Sequence, residues 1–433
     1  MKELLLKYCR YSGEVRLYLK RYSIHNMSII KLNRDLPAIF FIILTMCVSM
    51  ELYFTWRFPQ SIVNSVCAII LLPYFLKVKV YRQSMLVIVL LIINFVYNYT
   101  HNTILFSLLS FLNLSSVITI SIFIVLSSVD FKVKLLRGFD LFMKCICCIS
   151  LMGWILYLIK IPLPHYYSDT TDFYSHEVYY LFVVGANNIL EDLLPRFCGM
   201  FLEPGHIGST CCLLLFINEF NFKNKSNFIY LLSIIFSLSL AAYCLLFIGL
   251  CLHYFFKGVH VVKYVLFMGV FACAFYIFGL TYNGGDNIFN EKIISRLMFV
   301  DGELSGDNRT SMLFEAYYED WLKHGNVING YGKGAYGDGE STNILHGCAS
   351  FKRFFFVNGV IGVVLVLVLY GTLFYKYRSR QGWGFLILFI ICNMIRDYPL
   401  RLMWLYLLIL GFVALSLSEK QAIIPFSKKK YNI

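Results

Sequence analysis

Apolar residues in this chain come in long unbroken runs instead of alternating with polar ones, and the runs have the length of membrane helices. A spanning helix needs about 20 residues to cross about 30 Å of hydrocarbon. Such runs lie near 36–56, 61–76, 85–99, 104–126, 141–158, 200–217, 264–280, 354–375, 385–394 and 403–417. The run 228–256 is too long for one upright helix and short for two. Read as a tight hairpin turning near 239–243, it brings the total to about twelve spans. One long polar stretch, 282–353, interrupts this pattern.

The segmentation follows. Residues 1–35 are basic and polar and read as a cytoplasmic segment with no cleavable signal peptide. The first five spans occupy 36–160, and a first external loop 161–198. Spans six to nine lie in 199–281, and the large external loop is 282–353. The last three spans take up 354–418, and 419–433 is a cytoplasmic tail. Within the large loop, Asp307 and Asn308 read as N-caps of an amphipathic helix from Arg309 to Lys323 that Gly325 ends. Leu313, Tyr317 and Trp321, four residues apart, predict its inward stripe. Arg309, one turn before Leu313, shares that stripe, although a surface pair with Asp307 or Glu315 is an equal use for it.

Composition turns this pattern into a class. With 59% hydrophobic and 15% charged residues and a mean hydropathy of +0.68, the chain lies far from soluble proteins. It reads as an all-α polytopic membrane protein. The net charge of +13 reflects cations on the cytoplasmic side, among them Lys77, Lys79, Arg82, Lys132, Lys134, Arg137, Lys376, Arg378, Arg380 and Lys428 to Lys430. The cytoplasmic membrane, with both termini cytoplasmic, satisfies that bias, and a nucleic-acid partner is not needed to explain it.

Candidate chemistry gathers on the opposite side. The block Arg196, Phe197, Cys198, Gly199, Met200, Phe201, Leu202, Glu203, Pro204, Gly205, His206 sets ionisable groups where an apolar span begins. Pro204 and Gly205 delay the helix there. A plain interfacial cap, with Arg196 snorkelling to headgroups, explains the same block. The turn holding Tyr331, Gly332, Lys333, Gly334, Ala335 and Tyr336 is no phosphate loop, and its rings suit carbohydrate faces; a flexible loop is the alternative. His346, Lys352 and Arg353 precede the next span, and Arg396 and Arg401 sit on a further external turn. Such cations at the headgroup plane suit a lipid pyrophosphate or ordinary anchoring.

In the Arg196 to Gly208 block, in the large loop with its Gly332-x-Gly334 turn, and in the Gly359-x-x-Gly362 span start, the chain resembles the bacterial O-antigen and capsule repeat-unit polymerases (Wzy) and the related O-antigen ligases. The resemblance implies a glycosyltransferase-C-like helical fold acting at the outer face of the membrane, without cofactor or metal. It implies transfer of a glycan from undecaprenyl pyrophosphate to the non-reducing end of another lipid-linked repeat unit. Partners would be the lipid-linked oligosaccharide, membrane lipids, a chain-length regulator and a flippase. Arg196 and Arg309 stand where the family carries arginines; Glu203 would take the acceptor proton or hold Arg196. The ligases carry a histidine eleven residues before the glycine of the last motif, where this chain has Cys348, so His346 misses by two positions. That favours polymerase over ligase. A lipid-linked oligosaccharide flippase or transporter is the competing class, but it calls for internal repeats and charges deep in several spans, which the sequence lacks. Most of the 14 cysteines lie inside spans and read as packing; Cys198 and Cys348 lie near the outer face, where oxidising conditions could join them.

Overall fold

A computed structural model describes residues 35–428, apart from 77, 79, 103–106, 172–173, 186–194, 259–260, 288, 296–298, 301–302, 305–309, 333–347, 349 and 397. Helix accounts for 76% of it. In chain order the helices are α1 (Leu36–Ser49), α2 (Gln60–Phe75), α3 (Arg82–Asn102), α4 (Leu108–Leu126) and α5 (Val129–Leu158), then α6 (Pro204–Ile217), α7 (Phe228–Phe236), α8 (Leu240–Lys257) and α9 (Val261–Thr281). After the polar insert come α10 (Met312–His324), α11 (Phe351–Lys376), α12 (Arg380–Ile395) and α13 (Leu402–Lys428). Among the described residues, six helices are long and apolar enough to cross a membrane, and α1, α2, α6, α12 and the stretch Lys225–Phe236 are shorter apolar ones. This is a multi-pass membrane protein, as the apolar runs indicate.

Helix α13 is the centre of the bundle. Its apolar stretch is 78% buried, against 22–50% in the other five long helices. It packs on α1, α4, α5, α6, α11 and α12, and its run from Leu402 to Leu410 is inaccessible all round. A helix apolar on every face is stable only when protein surrounds it. The run 228–256 is two helices, split at Ser237 to Ser239 with Leu238 left-handed (φ 44°). Helix α5 starts at Val129, so Lys132, Lys134 and Arg137 belong to its first turns instead of a loop.

Two departures from the sequence reading shape the sites. Residues after α5 form an antiparallel sheet, β1 (Tyr166–Thr171), β2 (Tyr174–Val178) and β3 (Val183–Gly185), in the order β1-β2-β3. A small hairpin, β4 (Phe299–Val300) and β5 (Glu303–Leu304), lies in the polar insert. The amphipathic helix exists as α10, but Ser311 is its N-cap, accepting from the Phe314 amide at 3.1 Å. Its buried stripe is Phe314, Tyr318 and Trp321, while Leu313 (59%) and Tyr317 (45%) are exposed. Trp321 is buried as the four-residue spacing predicts, but its companions on the buried face are Phe314 and Tyr318 instead of Leu313 and Tyr317, since all three rings pack on Phe356. Arg309 lies outside the described residues, as do His346 and Tyr336.

Candidate functional site

The segment leading into α6 turns at Gly199 and is tied down at residues 197, 199, 200 and 202. Phe197 donates its amide to Phe236 O (3.0 Å), Tyr53 donates to Met200 O (3.0 Å), and Val183 donates to Gly199 O (2.8 Å). His176 on β2 bonds Leu202 O through Nε2 at 3.0 Å. The sheet, α7 and the turn after α1 thus hold one backbone from three directions. Gly199 is left-handed here (φ 57°), a conformation glycine adopts at no steric cost.

This rigid entry places Glu203. It is the N-cap residue of α6 by backbone geometry (φ −137°, ψ 149°), and Pro204 starts the helix. Its carboxylate makes no cap hydrogen bond; instead Arg396 Nη1 donates to Oε2 at 2.6 Å. Arg396 follows α12 and is buried, with its side chain only 9% exposed. A Cβ at residue 205 would stand 2.1 Å from Arg396 Nη2, so the guanidinium reaches Glu203 only because residue 205 is glycine. Burial works against the Arg396 charge, but the Glu203 carboxylate more than compensates and pushes the guanidinium pKa up.

The network continues along one wall. His206, one turn into α6, lies 4.0 Å from Glu203 Oε2, and its Nε2 bonds the Tyr398 hydroxyl at 2.5 Å. Burial raises the Tyr398 pKa, against the pull of Arg401 and Arg396, so the phenol stays protonated beside His206. The Arg401 guanidinium lies 4.3 Å above the Tyr398 ring and donates to Ser49 O (3.0 Å) and Glu51 Oε1 (3.1 Å). Met403 N reaches Ser49 Oγ at 3.0 Å, closing α13 onto α1. The chain ends of α1, α6, α12 and α13 thereby meet in one ionic and aromatic cluster.

Arg196 precedes this cluster on the tied segment and is half-buried. Its Nε donates to Ser237 O at 3.3 Å, at the break between α7 and α8. Cys198, beside it, is buried and its thiol is pushed up to about 12 by that burial. Cys198 and Cys348 are both free thiols, so the bridge that their position suggested is not formed.

Lys352, Arg353 and Tyr331 gather in a second cluster, around the start of α11. Lys352 Nζ bonds Glu315 Oε1 of α10 at 2.7 Å and lies 5.6 Å from the Tyr318 ring centre. Burial raises the Glu315 pKa, but the Lys352 ammonium and the Thr310 hydroxyl outweigh it and hold the carboxyl below its ordinary value. Tyr331 stacks on Phe356 (5.0 Å, 19°) beneath Trp321 and Phe314. Arg353 is half-buried on the first turn of α11.

Helix α11 is interrupted at Gly359 (φ 62°, ψ −167°). The turn 327–331 fills the gap: Val360 N donates to Val327 O (3.0 Å), Ile361 N to Ile328 O (3.1 Å), and Tyr331 N to Phe356 O (2.7 Å). Tyr97 of α3 donates to Asn358 O at 2.9 Å. Gly330 (φ 86°) and Gly359 pass so close that a Cβ on either would sit about 2.3–2.4 Å from the other's backbone segment.

Sequence reasoning named Arg196, Glu203, Arg396 and Arg401, and these stand along one connected wall or beside it. It missed His206 and Tyr398 as the polar link between Glu203 and Arg401, and Glu51 as the partner of Arg401. Only the ionisable character of His206 at a helix start signalled it. No family model, curated protein or solved structure matches the chain.

Proposed function

We propose that this protein is a repeat-unit polymerase, transferring a glycan from undecaprenyl pyrophosphate to the non-reducing end of another lipid-linked repeat unit at the outer face of the cytoplasmic membrane. The observation that supports this reading best is the cluster of Glu203, His206, Arg396 and Arg401 at the meeting of four helix ends in a membrane bundle, with Arg196 on the segment that leads into it. Charge of that density beside apolar spans is costly unless it serves a polar substrate.

In this reading the acceptor hydroxyl attacks the anomeric carbon, the bond from that carbon to the phosphate oxygen breaks, and the lipid pyrophosphate leaves. The leaving group is already stabilised, so the protein has to neutralise its developing charge and orient the hydroxyl. Arg196 and Arg309 supply the positive charge. Glu203, held by Arg396 through Oε2, takes the acceptor proton. Arg396 and Arg401 fix the wall, and Lys352, Arg353 and Tyr331 form the approach from the polar insert.

The interruption of α11 is the feature that favours a transporter, since broken helices mark substrate paths there. Here the freed amides of Val360 and Ile361 are taken up by Val327 and Ile328, not left facing a cavity. A deletion strain complemented with wild type, Arg196→Ala or Glu203→Gln at matched membrane levels tests the proposal on a surface-polysaccharide gel. A polymerase leaves single repeat units on the lipid A core in the deletion and in Arg196→Ala, with a ladder restored by wild type. Absent core-linked polymer with lipid-linked chains intact means a ligase. A normal ladder in the deletion overturns the glycan reading.

A further inference from the structure

A cleft of about 630 Å³ lies at the ends of α6 and α8 remote from Glu203. Helix α6 separates the two places by about 21 Å, at 1.5 Å per residue over its 14 residues. Asn218, Glu219, Asn221, Lys223, His253 and Lys257 line it. The volume falls in the roughly 300–1,000 Å³ range of small-ligand sites. We propose that this cleft binds a phosphate-bearing anion, as a free phosphate compound or as a lipid headgroup.

Three observations carry the assignment. His253 is 1% exposed, yet its Nδ1 has no hydrogen-bond partner. Gln381, in the first turn of α12, donates to the His253 carbonyl at 3.0 Å and lies beside the ring, its own Oε1 likewise without a partner. A buried ring nitrogen left unsatisfied costs free energy that a ligand oxygen or donor removes. Phe216 and Phe220 pack edge-on against this ring, at 5.8 and 5.5 Å, so its orientation is held.

The charges around the cleft select an anion. Lys223 and Lys257 are exposed on its rim and form no ion pair among the described residues. The single carboxylate among the lining residues, Glu219, is engaged: Glu219 and Phe220 are both left-handed (φ 54° and 48°), and the Glu219 carboxylate accepts from the Ser418 hydroxyl and also acts on the His253 ring. Two successive non-glycine residues in that region are strained, and such strain persists where the surroundings enforce it. Asn221 uses its side-chain oxygen on Lys223 N and keeps its amide N–H groups available. Two lysines, a histidine and an asparagine thus line a cavity whose one acid accepts from Ser418, a donor set that phosphate oxygens accept from.

The test uses the purified full-length chain in a neutral detergent. Inorganic phosphate is titrated by calorimetry, and retention of phosphatidylglycerol against phosphatidylcholine is read by native mass spectrometry. Wild type is expected to bind one of the two probes, and Lys223→Gln/Lys257→Gln to bind it roughly tenfold or more weakly, because each cation near an anionic group contributes comparably. Those side chains are exposed, so the double variant keeps its fold; His253→Phe, which keeps the ring volume, is expected to weaken binding as well. Lys420→Gln, off the cleft, is expected to bind as wild type. Selective retention of phosphatidylglycerol identifies a lipid headgroup, and phosphate binding identifies a soluble compound. Failure of wild type to bind either probe, or equal binding by wild type and the double variant, overturns the proposal.

Discussion

The Glu203 and Arg396 pair should respond asymmetrically to loss of either partner. The Arg396 side chain is 9% exposed and that of Glu203 25%, so the cation depends on its partner for solvation more than the carboxylate does. Removing Glu203 leaves a guanidinium buried against Gly205 without its counter-charge, at a cost of about 3–5 kcal/mol. Removing the Arg396 charge with the similarly long Arg396→Met leaves a carboxylate that water and His206 reach, and costs about 1–3 kcal/mol. The double variant Glu203→Ala/Arg396→Met should therefore lie well short of the sum, since neither uncompensated charge remains. Equilibrium unfolding in mixed micelles of increasing sodium dodecyl sulfate, followed by tryptophan fluorescence, measures each cost. Additive single-variant effects, or Arg396→Met being the more damaging, would refute this account of the wall.

Other consequences concern the second cluster and the helix break. Gly359→Ala and Gly330→Ala each force a Cβ into backbone at about 2.3–2.4 Å and a left-handed φ, so each should destabilise by about 3 kcal/mol or more, read in the same unfolding assay. Phe314→Ala, at a fully buried position, should cost about 3–5 kcal/mol and raise hydrogen exchange in α10, whereas Leu313→Ala at 59% exposure should leave exchange unchanged. Glu315 has a lowered pKa, so its link to Lys352 contributes above the ordinary carboxyl value of 4.5 and is lost as pH falls below it. Hydrogen exchange at the start of α11 should accordingly rise on acidification through that window, and Glu315→Gln should remove the pH dependence.

Sequence alone determined that the chain is built of apolar helices, and roughly where they lie, because bilayer thickness sets the length of an uninterrupted apolar run. The stop at Gly325 was legible locally, because glycine disfavours continuing the helix, whereas the turn expected near 239–243 from run length and charge falls at Ser237 to Ser239. Phase was not legible in α10, where apolar residues stand on several faces and only contact with Phe356 selects Phe314, Tyr318 and Trp321 as the buried stripe. The sheet between α5 and α6 escaped notice because its strands are rich in polar residues, and their pairing becomes apparent only when His176 and Val183 meet the segment before Glu203. The partners of the ionisable groups also came from tertiary structure. Glu203 and Arg396 are 193 residues apart, and Arg401 and Glu51 350 apart, separations over which no local pattern carries information. A charge in a membrane protein announces itself in sequence by its cost, but the neighbour that offsets this cost is decided by how the helices pack.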